Sequence, residues 1–437
     1  MLLGYLMVIL VGALLLKLPF AQQADVSVSV LAALFTATSA TSVTGLVVVD
    51  TYQTWSLFGR GVILLLVQIG ALGFMSFTTL FFFIMNRKIG LSQRLLIMSS
   101  LNLHDMAGLL KLIRHVLLGT LTLQGLGALF LWWRFTPLYG AWQGLGKGIF
   151  HAVTAFANAG FDLFGYDGVF TSLSEHGGDE AMMAIMMILS VMGGLGFFVW
   201  EDLLLTGFRF KRLHVHSKLV LCISFWLIVG GWLLFFIMER GNPYSIGEMD
   251  LASALYTSLF QAIMPRSAGF TVIEQRHLMG ATRMMIMLLM FIGGSAGSTA
   301  GGIKNVTAGI LFLSAINYFK GKVRLSVFGR TIPTAQIKSA LALSLLVACL
   351  AMLGSMVISI LQPYLPFSAV LFETISAITT CGLSYGITGS LAPASQVVLI
   401  VFMFCGRVGI MTLGMVAFFG RSNDEKIKHP ETWVMMG

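Results

Sequence analysis

The 437-residue chain is 57% hydrophobic and only 10% charged, with a mean hydropathy of +0.89. Soluble domains carry roughly a quarter charged residues, so a water-soluble globule is excluded. The formal net charge of +9 raises nucleic acid as a partner, but the placement of the charges argues for membrane topology instead.

In chain order, Met1 to Leu16 is uncharged and lacks the basic region and A-x-A-like site of a signal peptide, so a first membrane helix is expected near 2–20. Further long apolar runs lie near 62–85, 112–133, 181–205, 219–238, 284–317, 339–361 and 396–419. Val62 to Met85 holds no charge over 24 residues, which at about 1.5 Å each reach about 36 Å, enough to cross a hydrocarbon core. The alternating ten-residue segments of a membrane β-barrel are absent. The expectation is an all-α polytopic membrane protein with eight transmembrane helices.

Between the two long runs of each successive pair lies a shorter apolar stretch, at 27–40, 147–157, 251–264 and 367–378. These are too short to span and suit re-entrant half-helices. Irregular backbone at membrane depth is tolerated only where it lines a cavity or is buried in protein. The expected organisation is four tandem repeats of membrane helix, pore helix and membrane helix around a pseudo-fourfold pore, at 1–86, 109–208, 217–319 and 337–420. The segments 87–108, 209–216, 320–336 and 421–437 are then cytoplasmic.

The charges agree. Arg87, Lys88, Arg94 and Lys111, then Arg209, Lys211, Arg212 and Lys218, gather at the first two of these segments. Lys320, Lys322, Arg324, Arg330 and Lys338 gather at the third, and Arg421, Lys426 and Lys428 at the tail. Only Asp105, Asp424, Glu425 and Glu431 accompany them, while Asp162, Asp167, Glu175, Asp179, Glu180, Glu248 and Asp250 fall in the intervening connections. By the positive-inside rule the basic segments face the cytoplasm, and nucleic acid is not expected as a partner. They offer a surface to anionic lipid or an acidic partner.

The ends of the short stretches superpose. They read Thr41-Ser-Val-Thr-Gly45-Leu46, Phe156-Ala-Asn-Ala-Gly-Phe161, Pro265-Arg-Ser-Ala-Gly-Phe270 and Ile378-Thr-Thr-Cys-Gly-Leu383. Each has a glycine followed by a large apolar residue, and ten positions before the glycine stands Phe35, Phe150, Leu259 or Phe372. The glycines, Gly45, Gly160, Gly269 and Gly382, are 115, 109 and 113 residues apart. A half-helix points its C-terminal partial negative charge inward, about half an elementary charge, and glycine lets the following loop turn its carbonyls toward one axis. Rings of carbonyl oxygens replace the water shell of K⁺. No acid sits at the aligned positions, which points to a monovalent rather than a divalent ion.

These four loops resemble those of the Trk/Ktr/HKT superfamily of potassium transporters. Over essentially the whole length the chain looks like the membrane subunit of the bacterial Ktr uptake system (KtrB type). The resemblance implies filter residues Val43, Thr44 and Gly45; Asn158, Ala159 and Gly160; Ser267, Ala268 and Gly269; and Thr380, Cys381 and Gly382. It further implies K⁺ as the transported ion, Na⁺-dependent uptake, no organic cofactor, a homodimer in the bacterial inner membrane, and a cytosolic nucleotide-binding regulatory ring (KtrA type). One glycine per loop and four different loops depart from the strict TVGYG of tetrameric K⁺ channels, so looser selectivity is expected.

Within the sixth span, Gly293, Gly294, Ser295, Ala296, Gly297, Ser298, Thr299, Ala300, Gly301 and Gly302 form ten consecutive small residues. Glycine costs about 1 kcal/mol relative to alanine in a helix, so a break is expected. Gly297 to Gly302 has the spacing of a phosphate-binding loop, but Ile303 stands where its lysine belongs. Tight small-residue helix packing is a second reading. The resemblance favours a flexible gate loop beneath the filter, with Lys304 as a tether. Arg407, in Phe404-Cys-Gly-Arg-Val-Gly409, lies mid-span, where an arginine costs about 2.5–3.5 kcal/mol on insertion scales. It matches the arginine that the family places below the filter; pairing to carbonyls or to an acid on a neighbouring helix is the other reading.

Cys222, Cys349, Cys381 and Cys405 show no CxxC or metal-ligand spacing and are expected as small membrane-buried residues. Glu201 and Asp202 suit interfacial contacts more than a proton relay, and His214 and His216 have no further ligands nearby. With no HExxH, GxSxG or paired catalytic carboxylates, no enzymatic activity is expected. Broken helices also occur in secondary transporters of organic solutes, but those usually carry two inverted repeats.

Overall fold

The computed structural model describes residues 2–24, 26–73, 109–165, 170, 172–174, 179–207, 209–322 and 324–409. The first helices are α1 (Leu2–Lys17), α2 (Val30–Ser42), α3 (Leu57–Leu72), α4 (Leu109–Tyr139) and α5 (Ala141–Ala157). They are followed by α6 (Glu180–Leu195), α7 (Phe197–Thr206), α8 (Val215–Glu239), α9 (Leu251–Ile263), α10 (Gly280–Phe291) and α11 (Asn305–Phe319). A small antiparallel hairpin, β1 (Ser326–Val327) with β2 (Arg330–Thr331), precedes α12 (Thr334–Leu361), α13 (Phe367–Ile378) and α14 (Pro393–Val408).

Each expected short stretch forms a helix, namely α2, α5, α9 and α13. Ser29 starts α2 by accepting the Ala32 N–H at 3.1 Å, and Asp250 starts α9 by accepting the N–H groups of Ala252 and Ser253 at 3.1 and 3.2 Å. These contacts satisfy orphan donors at the helix start. Helix α5 begins at Ala141, six residues before the expected 147, because Gly140 at φ +78° turns the chain sharply out of α4. The aromatic anchors Phe35, Phe150 and Phe372 are buried as aligned, but in α9 the fully buried ring is Phe260, one residue after Leu259. The third loop is therefore closed differently: the N–H groups of both Ala268 and Gly269 reach Met264 O, at 2.9 and 3.3 Å.

Among the described residues three helices, α4 over Arg114–Tyr139, α8 and α12, are each long and apolar enough to cross a membrane, and α6 with α7 would make a fourth as a bent pair. The expected continuous span at 181–205 is corrected: α6 and α7 meet at Gly196 with a bend of 92°. The apolar run at 284–317 is broken as expected, between α10 and α11. Segments 87–108 and 421–437 and the ends of the runs at 62–85 and 396–419 lie outside the described residues. Large apolar side chains face outward along the long helices, among them Leu129, Trp133, Phe225, Trp226 and Leu345, a surface suited to lipid and not to water.

Asp202, at the end of α7, accepts the His214 backbone N–H at 2.9 Å and lies 2.8 Å from His214 Nδ1. It thereby fixes the turn into α8. The basic hairpin folds back onto this turn, with the Phe328 ring 6.2 Å from that of Phe210 and Lys218 Nζ 5.8 Å from the Phe328 centroid.

Candidate ion site and the loop beneath it

The four glycines come together. A Cβ built on Gly45 would collide with Ala159 O and stand 2.8 Å from Gly160 Cα; one on Gly160 would stand 3.1 Å from Gly269 Cα. A Cβ on Gly269 would stand 3.3 Å from Gly382 Cα, and one on Gly382 would stand 3.2 Å from Gly45 Cα. The contacts close a ring, 45 to 160 to 269 to 382 and back; a side chain is obstructed at Gly45, Gly269 and Gly382 and tightly crowded at Gly160. Their φ angles are +94°, +66°, +76° and +92°, a region that glycine enters without steric cost.

Two positions earlier in each loop stands a second residue in the left-handed region: Val43 (φ +58°), Asn158 (φ +59°), Ser267 (φ +80°) and Thr380 (φ +49°). For β-branched Val43 and Thr380 this is a genuine outlier, of the kind that costs about 1–3 kcal/mol and gathers at functional sites. Thr44, Ala159, Ala268 and Cys381 lie between the paired outliers and are fully buried.

The loops are held from behind. Ser39 Oγ accepts the Gly45 N–H at 3.0 Å, and Ser376 Oγ accepts the Gly382 N–H at 3.1 Å. Ser267 Oγ donates to Thr380 O at 2.8 Å, and Cys381 Sγ lies 3.1 Å from Pro265 O, tying the third loop to the fourth. Cys381 is thus part of the site, and all four cysteines are free thiols.

Sequence reading missed a second glycine pattern. Gly70-Ala-Leu-Gly73, Gly193-Gly-Leu-Gly196 and Gly406-Arg-Val-Gly409 close α3, α6 and α14. In each, the first glycine lets the helix back onto a carbonyl four residues before a ring glycine: Thr41 O, Phe156 O and Ile378 O. The second glycine ends the helix at φ +79°, +94° and +98°. The Gly-x-x-Gly spacing was the available signal. Gly193→Ala is expected to force α6 off Phe156 O and cost about 1–3 kcal/mol, as overpacked sites do, read as a lower unfolding temperature in detergent.

The small-residue segment lies directly against the ring loops. Gly293 N–H donates to Ile303 O at 3.0 Å and Asn305 N–H to Gly294 O at 2.9 Å, closing its base. Its walls pair with the α6–α7 bend: Ser295 N–H with Gly194 O, Thr299 N–H with Gly193 O, and Phe197 N–H with Gly297 O, at 3.0, 3.2 and 2.8 Å. A Cβ on Gly196 would stand 2.8 Å from Ala296 O. Ser298 Oγ donates back to Ser295 O at 2.7 Å, and Gly302, at φ +72°, lies on Gly293.

Its tip reaches three of the four ring loops. Thr299 Oγ1 donates to Phe156 O at 3.1 Å and accepts from Asn158 Nδ2 at 2.9 Å. Gly301 N–H donates to Ser267 Oγ at 2.9 Å, and a Cβ on Gly301 would collide with Thr380 Oγ1. Lys304 Nζ donates to Ala300 O at 2.8 Å, clamping the base. Arg407 donates to Thr299 O at 2.7 Å, to Gly70 O, and to Ala71 O at 3.4 Å. Of the two sequence readings of Arg407, carbonyl pairing describes its contacts, and those carbonyls belong to the broken segment itself and to the end of α3.

A bundle of apolar helices, whose short members deliver four loops without acidic residues to one point over a broken helix, defines a helical membrane protein with a central backbone-lined site. The sequence profile of the TrkH family, described as cation transport protein, matches residues 7–425. The chain belongs to the TrkH family of cation transport proteins. It is 38% identical to the potassium/sodium uptake protein NtpJ of Enterococcus hirae, covering 99% of this chain and 96% of that one. It is also 38% identical to the Ktr system potassium uptake protein B of Bacillus subtilis, covering 99% and 95%. Its fold matches the potassium transporter TrkH of Vibrio parahaemolyticus with a TM-score of 0.75 at 19% identity, over 96% of this chain and 85% of that one.

Proposed function

We propose that this chain is the ion-translocating subunit of a K⁺ uptake system in the bacterial inner membrane. Its four membrane–pore–membrane repeats, at 1–86, 109–208, 217–319 and 337–420, surround a pseudo-fourfold pore with eight spans. The residues at 43–45, 158–160, 267–269 and 380–382 form its selectivity filter. The observation that carries the reading is the closed ring of Gly45, Gly160, Gly269 and Gly382 at the ends of four half-helices. Four helix C-termini together bring about two elementary charges of partial negative character to one point. Neutral carbonyls there suit an ion that exchanges its water shell readily, hence K⁺ rather than a divalent cation. The relatives, a potassium/sodium uptake protein and a Ktr system potassium uptake protein, support the same ion.

The segment 293–302 is the gate: it lies against the filter loops, and Lys304 and Arg407 clamp it. Uptake is Na⁺-dependent, the subunit forms a homodimer, and a cytosolic nucleotide-binding ring docks on its basic face and sets the position of the gate. Expressed in a bacterium lacking its own K⁺ uptake, the chain is expected to restore growth at low K⁺ and to drive Rb⁺ uptake. The rate is expected to rise when Na⁺ is supplied and when the regulatory subunit is co-expressed. Normal membrane insertion with no Rb⁺ uptake under any of these conditions would overturn the proposal.

A further inference from the structure

Behind the outer half of three ring loops stands a buried polar side chain from the same half-helix. His151 in α5 and Glu373 in α13 lie nine residues before their glycines, and Gln261 in α9 lies eight before. All three are essentially inaccessible. His151 Nε2 accepts the N–H of Leu163 at 3.1 Å, while its Nδ1 lies 2.8 Å from Lys147 O. Gln261 Nε2 donates to Thr271 Oγ1 at 3.3 Å and to Ile273 O at 3.4 Å. Thr36, the matching position in α2, turns instead to Ala32 O of its own helix at 2.9 Å.

Glu373 is the acidic member of the set. Its Oε1 accepts from Ser384 Oγ at 2.6 Å and from the Tyr385 N–H at 3.0 Å, and its Oε2 accepts from Thr388 Oγ1 at 2.9 Å. All three donors come from the stretch immediately beyond Gly382. No basic side chain is paired with the carboxylate among the described residues. A carboxylate is acceptor-only with room for several donors, and charged acceptors make the stronger hydrogen bonds. One side chain thus grips the loop at three points over five residues.

We propose that Glu373 is a positioning residue for ion discrimination, holding the outer leg of the fourth loop so that the carbonyls around Gly382 keep their place in the ring. His151 and Gln261 do the same, with fewer contacts, for the second and third loops. The inference rests on reading these loops as the ion filter. The contacts, not the charge, carry the role. In Glu373→Gln the amide oxygen keeps the Tyr385 N–H, and the amide NH₂ faces Thr388, whose hydroxyl rotates to accept it. In Glu373→Ala every one of these contacts is lost and the Tyr385 N–H loses its carboxylate partner.

The test is Rb⁺ uptake and its inhibition by Na⁺, in a strain lacking endogenous K⁺ uptake, with membrane yield and gel-filtration profile checked. Glu373→Ala is expected to lower discrimination of Rb⁺ over Na⁺ by about fivefold or more, the scale of losing one ordinary hydrogen bond. Glu373→Gln is expected to retain most of the discrimination. If Glu373→Ala does not fold, the pair Ser384→Ala with Thr388→Val removes two donors from the loop side, and a weaker loss in the same direction is expected. Unchanged discrimination in Glu373→Ala, or in the loop-side pair, overturns the proposal, as does a loss in Glu373→Gln equal to that in Glu373→Ala. Gly382→Ser, measured in parallel, separates the two claims. If it too leaves discrimination intact, the filter reading itself fails; if it alone abolishes discrimination, only the role of Glu373 fails.

Discussion

Gly382→Ser is expected to reduce discrimination of K⁺ over Na⁺ by about tenfold or more, equivalent to about 1.4 kcal/mol, while the protein still inserts and can be purified. At φ +92° a side chain is strained before it meets anything. The new Cβ would also collide with Thr44 O and stand 3.2 Å from Gly45 Cα. The loop has to retreat from the ring, and Thr44 O, a carbonyl of the first loop, has to retreat with it. Because ring members touch in sequence, displacement at one glycine is felt at its neighbours. The measurement is Rb⁺ uptake competed by Na⁺; a wild-type competition curve would refute the assignment of this ring to ion selection.

Arg407→Ala is expected to raise basal Rb⁺ uptake several-fold without the regulatory subunit. The guanidinium joins three parts of the chain: its own helix α14, the carbonyls of Gly70 and Ala71 at the end of α3, and Thr299 O at the tip of the broken segment. Hydrogen bonds to a charged group contribute about 1.5–3 kcal/mol each, and Thr299 is the residue that touches both Phe156 and Asn158. Removing the clamp frees that tip. Arg407→Lys is expected to fall between, since a lysine offers a point charge rather than a rigid fork of donors. Unchanged or reduced flux in Arg407→Ala, at equal membrane yield, would show that the arginine does not hold the loop shut.

The ring was legible because it rests on strictly local chemistry. Only glycine enters φ near +90° freely, so a backbone forced into that region four times left four glycines at near-equal spacing. The break at 293–302 was legible for a related reason, since ten small residues make a poor helix. Val43 and Thr380 gave no such warning. β-Branched residues are poor choices for positive φ, and the sequence does not say that packing from behind, by Ser39 or Ser376, holds the loop ends closed around them. The bend at Gly196 was hidden in an unbroken apolar run, because hydropathy counts the length of a run and not whether its axis turns.

Hydrophobicity, charge placement and the four glycine turns, all written into contiguous residues, determined a helical membrane protein with repeated half-helices. Tertiary structure alone decided what those parts touch. Gly70 lies 337 residues before Arg407, and Thr299 lies 108 before it. Gly45 meets both Gly160 and Gly382, and Glu373 grips a loop that begins beyond its own helix. Backbone carbonyls carry no sequence signature, since every residue has one. Which of them gather around an ion or an arginine is therefore settled only when the helices pack.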